Sequence, residues 1–127
     1  MLAAHLPKNF GELKALKTLD LSDCDSLITL PDAIGGLGAL STLVVQNCRG
    51  LEVLPDAIGE LRKLKVLGLS RCVKLSALPD TIGGLEALTY LCLFGCQRLA
   101  ALPDTIGRLK ALKTVKCGIN SSQFPHD

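Results

Sequence analysis

Aromatic residues are scarce in this chain of 127 residues. It has no tryptophan, one tyrosine and three phenylalanines, and together these make up 3% of the sequence. Hydrophobic residues still account for 48%, so the core must be built mainly from leucine, isoleucine, valine and alanine. The length predicts one domain that covers residues 1–127.

The chain also lacks the features that direct proteins to nucleic acid or to a membrane. Its formal net charge of +2 is too weak to indicate a nucleic acid or an anionic membrane as the partner. No apolar run reaches the roughly 18 residues of a membrane span. Residues 1–6 do not have the charged and apolar regions of a signal peptide, which makes an intracellular, cytoplasmic location the expectation.

What the chain does have is an internal repeat. Leucine, proline, two variable residues, an aliphatic or aromatic residue and glycine recur every 24 residues, as at residues 30–35. The copies begin near residues 6, 30, 54, 78 and 102, and an irregular tail follows at residues 120–127. A fixed period in this range indicates a solenoid, and five units exceed the roughly three that such a fold needs to bury a continuous core.

Each unit predicts one short strand. In the second unit, Leu43 and Val45 alternate with outward residues, as in a half-buried strand. The equivalent inward pairs are Leu19/Leu21, Leu67/Leu69, Leu91/Leu93 and Val115/Cys117. Successive units then place these strands side by side in a parallel sheet.

Each unit also predicts one short helical turn, at the Pro-Asp pair that begins at Pro31, Pro55, Pro79 and Pro103. Proline suits the first turn of a helix because it has no N–H group to satisfy there, and the acid faces the positive end of the helix dipole. A glycine follows within four residues, so we expect a single 3₁₀ turn and a tight bend or positive φ at that glycine. The predicted fold class is an α/β solenoid, with parallel strands on its concave face and 3₁₀ or helical turns on its convex face.

The chain resembles the leucine-rich repeat family over about residues 6–119. The resemblance lies in the repeated spacing Leu16-x-x-Leu19-x-Leu21-x-x-Cys24-x-x-Leu27-x-x-Leu30-Pro31-x-x-Ile34-Gly35-x-Leu37. The 24-residue unit with cysteine at its ninth position is most similar to repeats of plant intracellular immune receptors and of plant repeat proteins related to the Ras-binding group. Those families bind proteins, so the resemblance implies a recognition domain. The receptors' nucleotide-binding domain is not implied, because G-x-x-x-x-G-K-[ST] does not occur.

Four of the six cysteines share one position of the repeat: Cys24, Cys48, Cys72 and Cys96. Free cysteine is among the most buried residue types, which predicts a structural ladder of buried thiols. Many family members have asparagine there, bonded to the turn of the next unit, and cysteine is a weaker donor. Neighbouring ladder thiols come within disulfide range by strand spacing, but their side chains should run parallel and not face each other.

We expect no metal and no cofactor. Zinc needs about four ligands that converge on one point, whereas the four ladder cysteines lie along a line. The only histidines, His5 and His126, lie near opposite ends of the sequence. Of the two remaining cysteines, Cys117 takes an inward strand position, and Cys92 lies between Leu91 and Leu93 and should therefore face outward.

The outward strand residues predict a concave binding surface, because solenoids usually bind there. Its predicted partner-binding residues are Asp20, Val44, Val66, Tyr90, Cys92, Phe94 and Lys116. Tyr90 and Phe94 are the predicted anchors, since exposed aromatics in a cluster are typical of interface hot spots and each can bury roughly 150–250 Å². The alternative is that these aromatics cover one another or are covered by a neighbouring segment.

Charge along the turns shifts from acidic to basic. Asp20, Asp23 and Asp25 belong to the first unit, and later turns carry the basic residues Arg49, Arg71, Lys74 and Arg98. Such a gradient would orient a partner of opposite polarity and affect its rate of association more than its affinity. Ordinary solvated surface charge is the alternative interpretation.

No catalytic arrangement is indicated. The candidate nucleophiles Cys92 and Ser70 lack a nearby histidine in this register, and the regular acids that follow the prolines serve helix starts. We therefore expect a non-catalytic module that binds a protein. Two alternatives remain open: a structural segment of a longer repeat array, and a substrate-recognition subunit of an enzyme complex. The ends lack convincing caps beyond Phe124, so weak self-association through them is a further expectation.

Overall fold

The computed structural model describes residues 10–116, and the strands within them form one parallel sheet. The strands are β1 (Thr18–Asp20), β2 (Thr42–Val44), β3 (Val66–Gly68), β4 (Tyr90–Cys92) and β5 (Thr114–Lys116). They lie in chain order, and each residue pairs with the residue 24 positions later, as Leu43 does with Leu67. The predicted solenoid of about five repeats is confirmed.

Some of the predictions fall outside the described residues. These are the start of the first repeat near residue 6, the inward position of Cys117, the cap formed by Phe124, and the irregular tail at 120–127.

Backbone hydrogen bonding between units continues beyond each three-residue strand. The N–H of Leu21 donates to the carbonyl of Val44 at 2.8 Å, and the N–H of Asp23 donates to the carbonyl of Gln46 at 2.9 Å. The same continuation recurs in the later units, where the N–H of Arg71 donates to the carbonyl of Phe94 at 2.7 Å. The residues that follow the strands are therefore held in the same register as the strands themselves.

The return segment of each unit is a 3₁₀ helix, as predicted. The helices are Phe10–Glu12, Asp32–Gly36, Asp56–Glu60, Asp80–Gly84 and Asp104–Arg108. Proline precedes the helix and does not occupy its first turn: Pro31 has φ −70° and ψ 152°, and its carbonyl accepts the N–H of Ile34 at 3.0 Å. The acid is the first helical residue, where the helix dipole favours a negative charge.

In the first four helices, glycine is required because the next helix stacks closely against it, whereas a Cβ at Gly107 in the last helix would meet no atom within 4 Å. A Cβ atom added to Gly59 would overlap the carbonyl oxygen of Thr81 in the next unit and lie 2.8 Å from the Cβ of Thr81. Of the two predicted alternatives, a tight bend or a positive φ, the positive φ does not occur at these glycines, since Gly95 is the one glycine of residues 10–116 with a positive φ. A positive φ and a close approach of another backbone both favour glycine, and at Gly59 the reason is the close approach.

The core is aliphatic apart from Phe10 and the ladder cysteines, and within residues 10–116 it contains no buried polar or charged residue. In the central units the inward leucines and isoleucines, such as Leu43, Ile58 and Leu67, have 0% of their surface exposed. Full burial of one such side chain stabilises the fold by about 1.5–3 kcal/mol, so stacked repeats replace the missing aromatics. No helix of residues 10–116 is both long and apolar enough to cross a membrane.

Candidate functional site on the concave face

The fourth unit presents three neighbouring side chains to the concave face. Tyr90 and Cys92 are half-buried at the two ends of β4, with the fully buried Leu91 between them. Phe94 follows two residues later and is 45% exposed. Alternation along an extended chain puts Tyr90, Cys92 and Phe94 on one side, as the sequence predicted. Whether they bind a partner stays a prediction.

These side chains line a concavity of 630 Å³. Of the predicted partner-binding residues it brings together Tyr90, Cys92, Phe94 and Lys116. The polar residues that complete its lining are Ser22, Asp23, Gln46, Asn47, Ser70 and Arg71. Arg71 was predicted as a basic residue of the turns, whereas Ser22, Gln46, Asn47 and Ser70 were not among the predicted partner-binding residues. The signal that could have found them is that they occupy the same two repeat positions in three successive units.

Three predicted residues of the concave face lie beside this concavity and do not line it. Val66 is paired with Tyr90 in the sheet, and Val44 is paired with Gly68. Gly68 carries no side chain and is buried between Val44 and Cys92, its partners in the two neighbouring strands. Asp20 is exposed at the far end of the same row of outward residues, whose other end is Lys116.

The predicted basic residues do not form one cluster. Arg71 lines the concavity, whereas Arg49, Lys74 and Arg98 do not. Those three are exposed at later positions in their units, on the chain that leads from the cysteine turn to the next 3₁₀ helix. On the concave face the change from acidic to basic residues therefore involves four side chains. The acidic residues Asp20 and Asp23 lie at one end, and the basic residues Arg71 and Lys116 lie towards the other.

A left-handed backbone conformation recurs at one repeat position. Asp23, Asn47, Arg71 and Gly95 have φ values of 65°, 58°, 62° and 80°. Asp, Asn and Gly are the residues that adopt this conformation most readily, and arginine is an uncommon occupant. The side-chain amide of Asn47 donates to the carboxylate of Asp23 at 2.7 Å, which links the first two members of this column.

Arg71 makes two contacts with Phe94. Besides the bond from its N–H to the Phe94 carbonyl, its guanidinium carbon lies 5.9 Å from the centroid of the Phe94 ring. At this distance the cation is attracted by the face of the ring, an interaction worth about 0.5–1 kcal/mol at an exposed site.

Two titratable side chains of the strands, Asp20 at the end of β1 and Tyr90 at the start of β4, have shifted pKa values. Hydrogen bonds from the hydroxyl and the backbone N–H of Ser22, the latter at 2.9 Å, lower the pKa of the Asp20 carboxyl below its ordinary value. The neighbouring Cys92, together with partial desolvation, raises the pKa of the Tyr90 phenol. At neutral pH Asp20 is therefore charged, and Tyr90 is a neutral donor and acceptor.

The cysteine ladder runs inside the sheet, behind the concave face. The thiols of Cys48, Cys72 and Cys96 donate to the carbonyls of Leu21, Val45 and Leu69 at 3.1, 2.9 and 3.0 Å. Each acceptor lies 27 residues earlier, so the bond runs to the preceding unit, and not to the next unit as the comparison with asparagine suggested.

Burial keeps these thiols protonated. It raises the pKa of Cys72 to about 12 and that of Cys96 to about 11. Among residues 10–116 the cysteines are free thiols, and no three His, Cys, Asp or Glu side chains are grouped so that they could hold a metal ion. The ladder is thus a set of neutral donors within the core.

A family model for Zer-1-like leucine-rich repeats matches residues 7–78, which is more than half of the chain. The chain belongs to the leucine-rich repeat family. Domains of this family are generally protein-interaction modules and are typically non-catalytic. A comparison with curated proteins gave no significant match.

Solved leucine-rich repeat structures superpose on most of the chain. The leucine-rich repeat domain of the type III effector XopL is 32% identical, with a TM-score of 0.76, over 87% of this chain and 37% of its own. A leucine-rich repeat protein of Leptospira interrogans is 33% identical, with a TM-score of 0.69, over 86% of this chain and 33% of its own. The chain thus spans about a third of the length of these structures.

The Arabidopsis receptor kinase HAESA, solved in complex with the peptide hormone IDA and the co-receptor SERK1, is 23% identical, with a TM-score of 0.62. It covers 87% of this chain and 19% of its own, and at this identity it supports the fold alone.

Proposed function

We propose that this leucine-rich repeat chain is a non-catalytic module that binds a protein partner on its concave face. The observation that carries the proposal is the 630 Å³ concavity, in which two of the chain's four aromatic residues, Tyr90 and Phe94, lie beside polar side chains from the four other units. Interface hot spots combine such aromatic anchors with a polar rim.

The exposure of Phe94 favours binding over mutual cover of the two aromatics. Phe94 keeps 45% of its surface exposed although Arg71 lies against its ring, so the contacts among the described residues leave much of the ring open. A partner that covered the ring would remove apolar surface from water, at about 25 cal/mol per Å².

The experiment uses random linear peptides of about twelve residues, displayed on phage and selected on the purified chain. The five strands span four gaps of about 4.8 Å, so an extended segment of about six residues crosses the face, and such peptides are long enough. The selected peptides are then synthesised, and their Kd values are measured by fluorescence anisotropy.

Tyr90→Ala and Phe94→Ala should each weaken binding of the selected peptides by about 1–2 kcal/mol, which is roughly 5- to 30-fold. Val53→Ala is the matched control, because Val53 is an apolar residue that is 47% exposed and lies outside the strands and the concavity. Circular dichroism confirms that each variant is folded. Unchanged Kd values on folded Tyr90→Ala and Phe94→Ala would reject this face as the binding site.

The finer assignments remain proposals that rest on the sequence. A role in plant immunity or signalling comes from the likeness of the 24-residue unit to plant intracellular repeats. An intracellular location agrees with the free thiols of the cysteine ladder, since disulfides are rare in reducing compartments. A substrate-recognition role in an enzyme complex would use the same concave face, and so would a repeat segment within a longer array.

A further inference from the structure

Arg71 departs from the pattern of its own column. The other members of that column are Asp23, Asn47 and Gly95, which tolerate a positive φ, whereas a left-handed conformation costs an ordinary residue roughly 1–2 kcal/mol. Residues kept in such conformations cluster at functional sites when the surroundings hold them in place.

The surroundings guide this side chain over the aromatic ring. The Cβ that Gly95 lacks would lie 3.0 Å from the Cγ of Arg71, so the absence of a side chain at Gly95 makes room for the stem of Arg71. The guanidinium then reaches the Phe94 ring, and Arg71 itself is exposed. Two units thus cooperate to place one cation at the edge of the concavity.

The guanidinium has no anionic partner in the described part of the chain. Among residues 10–116 the ion pair that the structure contains is Arg62–Glu86, at 3.0 Å between two exposed side chains that do not line the concavity. Arg71 therefore presents a planar fork of donors next to an aromatic surface, an arrangement suited to a carboxylate whose neighbour is apolar.

We propose that the concave face binds an extended acidic segment of a protein partner, with an Asp or Glu side chain paired to Arg71. This rests on the proposed function and adds the chemistry of the ligand. A neighbouring apolar side chain of the segment lies against Phe94 and Tyr90. Lys116, on the last described strand, adds positive charge beyond them.

The shape of the face selects an internal segment over a chain terminus. The concavity is lined from Ser22 in the first unit to Lys116 in the fifth, so an extended chain can pass across all five units. At its far end Asp23 offers a carboxylate. Asp23 and Arg71 belong to units that are two strand spacings apart, about 10 Å, so a basic or other donor residue of the ligand is expected about three positions from the acid.

The test uses the peptides selected in the experiment above, whose carboxyl ends are fused to the phage coat protein during selection. We expect enrichment of an Asp or Glu beside an apolar residue. In synthetic peptides with amidated ends, replacing that acid by its amide, Asp→Asn or Glu→Gln, should weaken binding at least about tenfold, and raised salt should weaken it as well. This arm leaves the protein unchanged.

On the protein, Arg71→Gly should weaken binding at least about tenfold while the fold is kept or stabilised, because glycine relieves the left-handed strain. Arg98→Gly is the matched control: it removes the same charge outside the concavity, at a position where the second unit already has Gly50. Arg71→Lys should restore only part of the affinity, since lysine lacks the planar fork.

Other outcomes overturn the inference. Peptides that depend on Tyr90 and Phe94 but need no acid and tolerate Arg71→Gly would reject the acidic ligand and leave the proposed function intact. Synthetic peptides that need only a free terminal carboxylate would reject the internal segment. Peptides that bind without regard to any residue of the concave face would reject both proposals.

Discussion

The thiol of Cys72 lies 2.9 Å from the carbonyl oxygen of Val45, in the preceding unit. Cys48 and Cys96 make the same contact with their own preceding units. The three bonds tie four successive units together through the core, at a depth where a carbonyl left without a donor would be costly. The cysteine column therefore stabilises the stacking of units as well as the turn within each unit.

We predict that Cys72→Ala lowers the free energy of unfolding by about 1–3 kcal/mol, because it removes a buried hydrogen bond and leaves a small cavity. Cys24→Ala is the matched control within the same column. Among residues 10–116 the hydrogen bond of the Cys24 thiol runs to the carbonyl of Ser22 in its own unit, at 3.8 Å, so its loss should cost less. Urea unfolding of both variants decides the matter, and equal losses would show that the bond between units contributes nothing.

Alkaline pH should destabilise the fold partly through the ladder. Between an unfolded thiol pKa of about 8.5 and the folded pKa of about 12 for Cys72, the unfolded chain has released a proton that the folded chain retains. The contribution of Cys72 is therefore complete below that unfolded pKa and is lost as pH rises towards the folded pKa, at up to about 1.4 kcal/mol per pH unit.

Urea unfolding at a series of pH values tests this dependence. In Cys72→Ala the free energy of unfolding should fall less steeply above about pH 9 than in the wild type, and the two profiles should run parallel below about pH 8. Parallel profiles over the whole alkaline range would contradict the raised pKa of Cys72.

Thiol labelling should separate Cys92 from the ladder. Cys92 is partly exposed on the concave face, while Cys24, Cys48, Cys72 and Cys96 are buried. In a Cys117→Ser background at neutral pH, a thiol reagent should modify one cysteine quickly and the other four only after unfolding. Adding Cys92→Ser should abolish the fast phase. Several fast thiols in the native protein would show that the ladder is accessible.

Gly59→Ala should lower the free energy of unfolding by about 1–3 kcal/mol, because the new Cβ would overlap the backbone carbonyl of Thr81, which cannot move aside as a side chain does. Gly38→Ala serves as the control: a Cβ there meets no atom within 4 Å, and this exposed glycine does not have a positive φ. Its stability should be unchanged or slightly higher. Similar losses in the two variants, measured by urea unfolding, would argue against close stacking of the 3₁₀ helices.

The strands and their register could be predicted from the sequence because the period is strict. Inward residues such as Leu43 and Leu67 recur exactly one repeat apart, so only one alignment of neighbouring strands buries all of them. The outward direction of Tyr90, Cys92 and Phe94 follows from the same alternation. The strand register and the direction of these three side chains could be predicted without knowing the conformation of the turns.

Other features were hidden from the sequence for physical reasons. The repeat pattern predicts that a residue such as Cys72 meets a neighbouring unit, but it does not decide whether the preceding or the next unit accepts the hydrogen bond of the thiol. A glycine at position 59 is compatible with either a positive φ or a close approach of the next unit, and the structure shows that the close approach is the reason for it. The left-handed conformation at this repeat position could not be recognised from the sequence, because arginine at position 71 is not a residue that usually adopts it.

The pairing of every strand residue with its counterpart 24 positions later has an evolutionary consequence. Duplicating or deleting one whole unit within the array preserves the register of every remaining pair, whereas a length change of any other size shifts leucines out of line. Such lineages should therefore vary in length by whole units. Each added unit would lengthen the binding face by about 4.8 Å, enough to admit one or two more residues of an extended ligand.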